Sequence, residues 1–236
     1  MNIVDIVILA ILGLCVIYGF YRGFVHTVLN LACLIAAIFL AFMFSPQLAS
    51  AVRADKTVAS ALTTYTDAVA RVGDYDLAST SVGNLSPSLI DTVLDNVNLP
   101  EQIEAILRAN LSGRAFQSVG LNNVNDYVQN TVVAVAINVL SFIACFIVAY
   151  ALLSIVVSLI RHVFRYPILK QLDWLAGGLF GLLRGGLLLY VLFLLVPILS
   201  TVIPLDQFNV LLSQSTLAPL FTSDGFFAGV IAGKLF

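Results

Sequence analysis

Four long apolar stretches constrain the fold of this chain more than any other feature of its sequence. A helix needs about 20 mostly apolar residues to cross a bilayer, because the hydrocarbon core is about 30 Å thick and each residue rises about 1.5 Å. The stretches that are long enough cover residues 3–21, 25–44, 131–160 and 172–203. The sequence therefore predicts an all-α integral membrane protein with four transmembrane helices.

The composition supports this prediction. Hydrophobic residues make up 60% of the 236 residues and charged residues 10%, whereas a soluble domain carries about 25% charged residues. So few charges cannot cover the surface of a soluble globule, which excludes an ordinary soluble enzyme, a disordered chain and a disulfide scaffold. The net charge of −2 also argues against a nucleic-acid partner, which would need a clustered basic face.

The basic residues indicate how the chain is oriented in the membrane. Arg22 lies between the first two spans, and Arg161, Arg165 and Lys170 lie between the last two. The segment 45–130 carries five basic and nine acidic residues. Because short basic loops remain in the cytoplasm, we expect both short loops inside, and residues 45–130 and both termini outside.

This topology divides the chain into four parts. They are a transmembrane hairpin at residues 1–44, an insert at 45–130, a second hairpin at 131–203 and a tail at 204–236. Pro100, followed by Glu101 and Glu104, is typical of a helix start, so we expect the extracytoplasmic insert to be helical. The tail is apolar but interrupted by Pro219 and Gly225, which favours interfacial helices.

A glycine repeat in the fourth span predicts a packing surface. Gly177, Gly181 and Gly185 recur every four residues, and small residues at this spacing let two membrane helices approach closely. The partner could be another helix of the same chain or a second copy in a homo-oligomer. A water-lined cavity is a third interpretation.

Arg184 is a charge within an apolar run. A charged side chain at mid-membrane costs roughly 3 kcal/mol or more, and usually marks a polar cavity or a partner. The fourth span could be one long tilted helix that holds Arg184 inside the bundle. Alternatively, residues 174–183 could form a short re-entrant piece, which would leave Arg184 to extend toward the headgroups.

The remaining polar residues of the spans predict contacts between helices. Asn30 can form hydrogen bonds between helices, and Asp5 lies near a helix start, where the helix dipole favours a carboxylate. Arg22 and Asp173 are expected at similar depth. The resulting hypothesis is that Arg22 forms an ion pair with Asp173 while Arg184 reaches a polar partner such as Asn30.

No pattern of catalytic residues is present in the sequence. Two histidines, His26 and His162, do not suffice for a metal cluster or a Ser/His/Asp set, and no phosphate-binding loop occurs. The cysteines Cys15, Cys33 and Cys145 lie in apolar runs and are interpreted as small buried hydrophobic residues. We expect no catalytic residue, no metal and no cofactor.

Two short patterns resemble a known family. Asp5 followed by Arg22-Gly23-Phe24 resembles the amino-terminal pattern of the colicin V production protein (CvpA) family. The residues Asp173, Gly177, Phe180-Gly181 and Arg184-Gly185 resemble its carboxy-terminal signature. The resemblance covers the four apolar segments. The long insert, Trp174 at a position that is commonly basic, and the tail depart from it.

The resemblance implies a multi-pass protein of the bacterial inner membrane, linked to colicin V production or export and to envelope homeostasis. The leading interpretation is a non-enzymatic scaffold or accessory factor, with the lipid bilayer and membrane or envelope proteins as partners. The alternative is a small channel or transporter whose pathway uses the glycine-lined groove, Arg184 and Asp173.

Overall fold

A computed structural model describes residues 2–55, 75–97, 99, 101–117, 120–163, 170–196 and 206–222. Their α-helices are α1 (Ile3–Arg22), α2 (Phe24–Ala54), α3 (Tyr75–Ser79), α4 (Pro87–Asn96), α5 (Glu101–Ser112), α6 (Val124–Val163), α7 (Lys170–Phe193), α8 (Asp206–Ser213) and α9 (Pro219–Thr222). Within these ranges the β-structure is limited to an isolated bridge between Ser81 and Asn123. The helices α1, α2, α6 and α7 are long and apolar enough to cross a membrane, so the all-α class with four candidate spans is confirmed.

The chain divides into two compact units. The first, here called the membrane unit, comprises Met1–Pro46, Ser141–Leu194 and Asp206–Asp224. The second, here called the insert unit, comprises Gln47–Leu140, Leu195–Leu205 and Gly225–Phe236. The division falls within α2 and within α6, so each of these helices contributes residues to both units.

The lengths of the helices in the membrane unit match the thickness of a bilayer. Helices α1 and α7 have 20 and 24 residues. Residues 24–46 of α2 and 141–163 of α6 complete the set. At about 1.5 Å per residue each segment is about 30–36 Å long, close to the hydrocarbon thickness of about 30 Å.

Helix α7 distinguishes between the two geometries considered for Arg184. It is continuous from Lys170 to Phe193, so the stretch 174–183 is part of one long helix and not a separate re-entrant piece. The helix ends ten residues before the expected boundary at 203, and residues 197–203 of that expected span lie outside the described residues. Helices α8 and α9 fall within the expected tail, whose last residues, 223–236, also lie outside the described part.

The insert unit has an aliphatic core of its own. Ile103, Leu107 and Leu111 of α5 are spaced by four residues and fully or almost fully buried, as is Tyr127 of α6. Asn110 donates a hydrogen bond of 2.9 Å to Thr131 Oγ1. Because the first turns of α6 complete this core, the unit continues to Leu140.

Candidate functional site

Helices α1 and α7 pack backbone to backbone through the predicted glycines. A Cβ atom at Gly181 would lie 2.5 Å from the carbonyl oxygen of Cys15, and one at Gly177 would lie 2.5 Å from that of Gly19. Gly185 faces the side chains of Cys15 and Leu12. Since residue numbers fall along α7 as they rise along α1, the two helices are antiparallel. The partner of the glycine repeat is therefore a helix of the same chain.

The matching surface of α1 was missed by the sequence analysis. Cys15, Gly19 and Gly23 recur every four residues, the same small-residue spacing as in α7. A Cβ atom at Gly19 would overlap the carbonyl oxygen of Gly177. The presence of cysteine at the first position concealed the repeat, although cysteine is also a small side chain.

Asp173 holds the turn between α1 and α2. Its Oδ1 atom accepts a hydrogen bond of 2.7 Å from the backbone N–H of Phe24, one of the N–H groups that a helix start leaves without an intrahelical partner. Gly23, between the two helices, has a φ of +80°, a backbone conformation that is unfavourable for residues with a side chain. Its Cα is also so close to Asp173 that a Cβ atom would overlap the carboxylate. The Arg22-Gly23-Phe24 pattern thus forms a turn closed by Asp173.

The expected ion pair between Arg22 and Asp173 is wrong. Both residues are described and no ion pair joins them, because the Asp173 carboxylate is engaged by the backbone of Phe24. The Arg22 guanidinium lies over the ring of Tyr18 instead, 5.5 Å from its centroid. At this distance the ring attracts the cation.

Aromatic pairs flank the glycine contact. Trp174 stacks on Phe20 with ring centroids 4.5 Å apart, and Phe180 meets Phe24 edge to face at 5.2 Å. Gly178 leaves the space that the Phe20 ring occupies. Trp174, which departs from the pattern of the family, therefore packs against α1.

A polar cavity of about 550 Å³ opens beside this helix pair. The described residues that line it are Tyr18, Arg22, His26, Asn30, Tyr150, Ser158 and Arg184. Arg184 donates a hydrogen bond of 3.1 Å from Nη2 to the Tyr150 hydroxyl, and its guanidinium lies 5.6 Å from the Tyr18 centroid. Arg184 thus forms its hydrogen bond with Tyr150 and not with Asn30, the partner expected from the sequence. Arg184 and Asn30 nevertheless line the same cavity.

Asp5 has a role that the sequence analysis did not foresee. Its carboxylate accepts a hydrogen bond from the backbone N–H of Asn2 in a capping box at the start of α1. Oδ1 also accepts from Ser215 Oγ at 2.6 Å and from the N–H groups of Thr216 and Leu217 at 3.1 Å each. Asp5 is buried, and it connects the first helix to the segment between α8 and α9.

Among the described residues, the cysteines and the other side chains of metal-binding type form neither a disulfide nor a metal site. In the part of the chain that the structure describes, no disulfide joins Cys15, Cys33 or Cys145 to another cysteine. In the described ranges no cluster of three or more His, Cys, Asp or Glu side chains could hold a metal ion.

Comparison with known proteins identifies the family. The family model described as colicin V production protein matches residues 4–93 and 111–225, a wider match than the four apolar segments because it includes much of the insert and of the tail. An uncharacterized transmembrane protein of Bacillus subtilis (strain 168), YshB, is 33% identical over 81 residues. That match covers 34% of this chain and 44% of YshB, so it spans less than half of this curated relative. No solved structure matches the chain. Because the family model covers most of its length, the chain belongs to the colicin V production protein family.

Proposed function

We propose that this protein is a non-enzymatic scaffold or accessory factor of the bacterial inner membrane. In this proposal the membrane unit anchors the chain, and the insert unit presents an extracytoplasmic surface to membrane or envelope proteins. The role would serve toxin production or export and the maintenance of the envelope, as the family name and the resemblance suggest.

The observation that carries the proposal is the filled glycine groove. Gly177 and Gly181 contact the backbone of α1, and Asp173 caps the start of α2. A transport pathway through this groove would need the space that α1 occupies. The glycine repeat and Asp173, which the channel alternative assigns to the transport pathway, therefore hold helices together instead.

Transport assays separate the two functions. Vesicles that contain the full chain should release K⁺ and Cl⁻ no faster than protein-free vesicles of the same lipids. Flux above that background, lost in Arg184→Gln and retained in Arg108→Gln, would overturn the scaffold proposal in favour of a channel. Arg108 is a suitable control because it is exposed and belongs to the insert unit.

A scaffold must also contact proteins through its insert unit. A photo-crosslinking amino acid at the exposed position Asp95 of α4 should yield, in cells, a protein adduct of defined mass that co-purifies in fixed stoichiometry. The matched control is Leu152, an exposed residue of the membrane unit, which should crosslink to lipid. The absence of a protein adduct at Asp95 and at other exposed positions of α4 and α5 would contradict the proposal.

The orientation is proposed from the charge bias. The basic residues of the two short loops, Arg22 among them, favour a cytoplasmic location for these loops. In intact cells a membrane-impermeant maleimide should label Asp95→Cys, whereas Arg165→Cys should react only after permeabilisation. The opposite labelling pattern would invert the proposed topology.

A further inference from the structure

Two positively charged side chains line the polar cavity of the membrane unit. Arg22 and Arg184 both line it, and no carboxylate is among the lining residues that the structure describes. Within the described part of the chain, neither arginine forms an ion pair. Each guanidinium offers five N–H donors and has no acceptor of its own, so the cavity presents a set of cationic donors.

The contacts that Arg184 does make leave part of its hydrogen-bonding capacity unused. Nη2 donates to the Tyr150 hydroxyl, whereas Nε is buried and has no hydrogen-bond partner among the described residues. Arg184 lies eleven residues into the helix from Asp173, a rise of about 16 Å, and therefore about halfway across a hydrocarbon core of about 30 Å. A buried cationic donor at that depth is costly unless an anion or another acceptor satisfies it.

Both guanidinium groups lie beside the ring of Tyr18. They are 5.5 and 5.6 Å from its centroid, so at most about 11 Å separates them. An anion between or beside them would be attracted by both charges. The Asn30 amide, the Ser158 hydroxyl and the Tyr150 hydroxyl line the same cavity and are able to donate further hydrogen bonds.

We propose that this cavity binds a phosphate ester or a phosphate ion through Arg22 and Arg184. Guanidinium groups donate paired hydrogen bonds to phosphate oxygens, and two cations balance the one or two negative charges of a phosphate. The volume of about 550 Å³ lies within the range of small-molecule sites, about 300–1,000 Å³, and accommodates a group as large as a phospholipid headgroup. This site goes beyond the scaffold role, since it assigns a ligand chemistry to the membrane unit.

Binding measurements on the full chain test the site. The protein is purified in a neutral detergent and stripped of lipid, then titrated with dihexanoyl phosphatidylglycerol, with inorganic phosphate and with dihexanoyl phosphatidylcholine. We expect a clear preference for an anionic probe over the zwitterionic one. Binding of the anionic lipid alone identifies a headgroup as the source of the phosphate, whereas binding of inorganic phosphate identifies a free phosphate. Equal or absent binding of all three probes would overturn the proposal.

Charge-matched variants locate the site. Arg184→Gln should weaken binding of the preferred probe by about tenfold or more, because hydrogen bonds to a charged group are among the strongest. Arg108→Gln removes the same charge from the insert unit and should bind like the parent. An unchanged affinity in Arg184→Gln, or equal losses in both variants, would show that the cavity does not hold the anion.

A second variant keeps the test decisive if Arg184→Gln fails to fold. Asn30→Asp is almost isosteric and introduces a carboxylate that can pair with Arg184 inside the cavity. It should remain folded, elute from a sizing column like the parent, and bind the preferred probe at least about tenfold more weakly through repulsion. Undiminished binding by folded Asn30→Asp would overturn the proposal. Because this readout is binding and the scaffold test is flux and crosslinking, either proposal can fail without the other.

Discussion

The membrane unit and the insert unit expose opposite kinds of surface. Among the described residues, the large apolar side chains that are exposed lie in the membrane unit, with the exceptions of Leu48, Leu89 and Leu140. In the insert unit the exposed positions include charged residues such as Asp91 and Arg108. The first surface suits lipid and the second suits water.

The interiors of the two units differ in the same way. Burial of the insert unit's aliphatic core, with Leu107 as an example, is favoured by the removal of apolar surface from water. Lipid tails are as apolar as leucine, so that driving force is absent between membrane helices. The membrane unit instead packs glycine backbones directly against each other, as Gly19 and Gly177 show. Buried polar side chains occur in both units, for example Asn30 in the membrane unit and Asn138 in the insert unit. One chain thus follows two packing rules, each set by its solvent.

The largest expected effect is the creation of a cavity in the insert unit. Leu107 is 0% exposed, so Leu107→Ala should lower the free energy of unfolding by about 2–5 kcal/mol. Leu152, at 60% exposure in the membrane unit, offers the matched substitution, and Leu152→Ala should change it by less than about 0.5 kcal/mol. Unfolding of both variants in detergent measures the difference. Similar losses of unfolding free energy in the two variants would contradict the proposed difference between the two units.

The next effect tests the packing rule of the membrane unit. In Gly181→Leu a side chain would meet the backbone of Cys15, and such overpacking typically costs about 1–3 kcal/mol. Gly186, in the same helix, has open space around a Cβ atom, so Gly186→Leu is the control and should melt like the parent. If Gly181→Leu also melts like the parent, α1 does not lie against this face of α7.

A smaller and more local effect should follow from Asp5→Asn. The substitution replaces the carboxylate that accepts hydrogen bonds from Ser215, Thr216 and Leu217 by a neutral amide. Hydrogen bonds to a charged acceptor are stronger than those between neutral groups. Amide hydrogen exchange at residues 216 and 217 should accelerate by about tenfold, while exchange in α5 should be unchanged. Asp126→Asn, in the first turn of α6, is the control. Equal protection in both variants would contradict the role assigned to Asp5.

The smallest effect is expected on the surface of the insert unit. Arg108 and Asp91 form an ion pair whose side chains are 56% and 55% exposed. Because water screens such pairs, Arg108→Ala should change the free energy of unfolding by about 0–1 kcal/mol. A larger loss in the same unfolding assay would mean that this part of the unit is shielded from water.

Features with a regular spacing could be predicted from the sequence. The four apolar runs indicated the spans, and the repeat of Gly177, Gly181 and Gly185 indicated close helix packing. Both depend on periodicity and on the thickness of the bilayer, which operate locally along the chain. The helix start at Glu101 was predictable for the same reason, because capping preferences are local.

Contacts between distant residues could not be predicted. Asp5 and Ser215 are separated by 210 positions, and no local pattern joins them. Asp173 was expected to pair with Arg22 because both residues should lie at a similar depth in the membrane. The Gly23 turn instead places the backbone N–H of Phe24, which has no partner within its helix, beside the Asp173 carboxylate. A backbone donor at a helix start is already fixed in position, whereas a long arginine side chain loses rotamer freedom when it is fixed.

The pairing of α1 with α7 also determines when the membrane unit can be completed. Gly19 is synthesised early and its partner Gly177 about 160 residues later, which at about 5–20 residues per second takes about 8–32 s. During that interval the first hairpin resides in the membrane without the helix that covers Cys15, Gly19 and Gly23. The nascent chain therefore passes through a period in which its closest-packing surface is open to other membrane helices, and this period ends only when α7 is inserted.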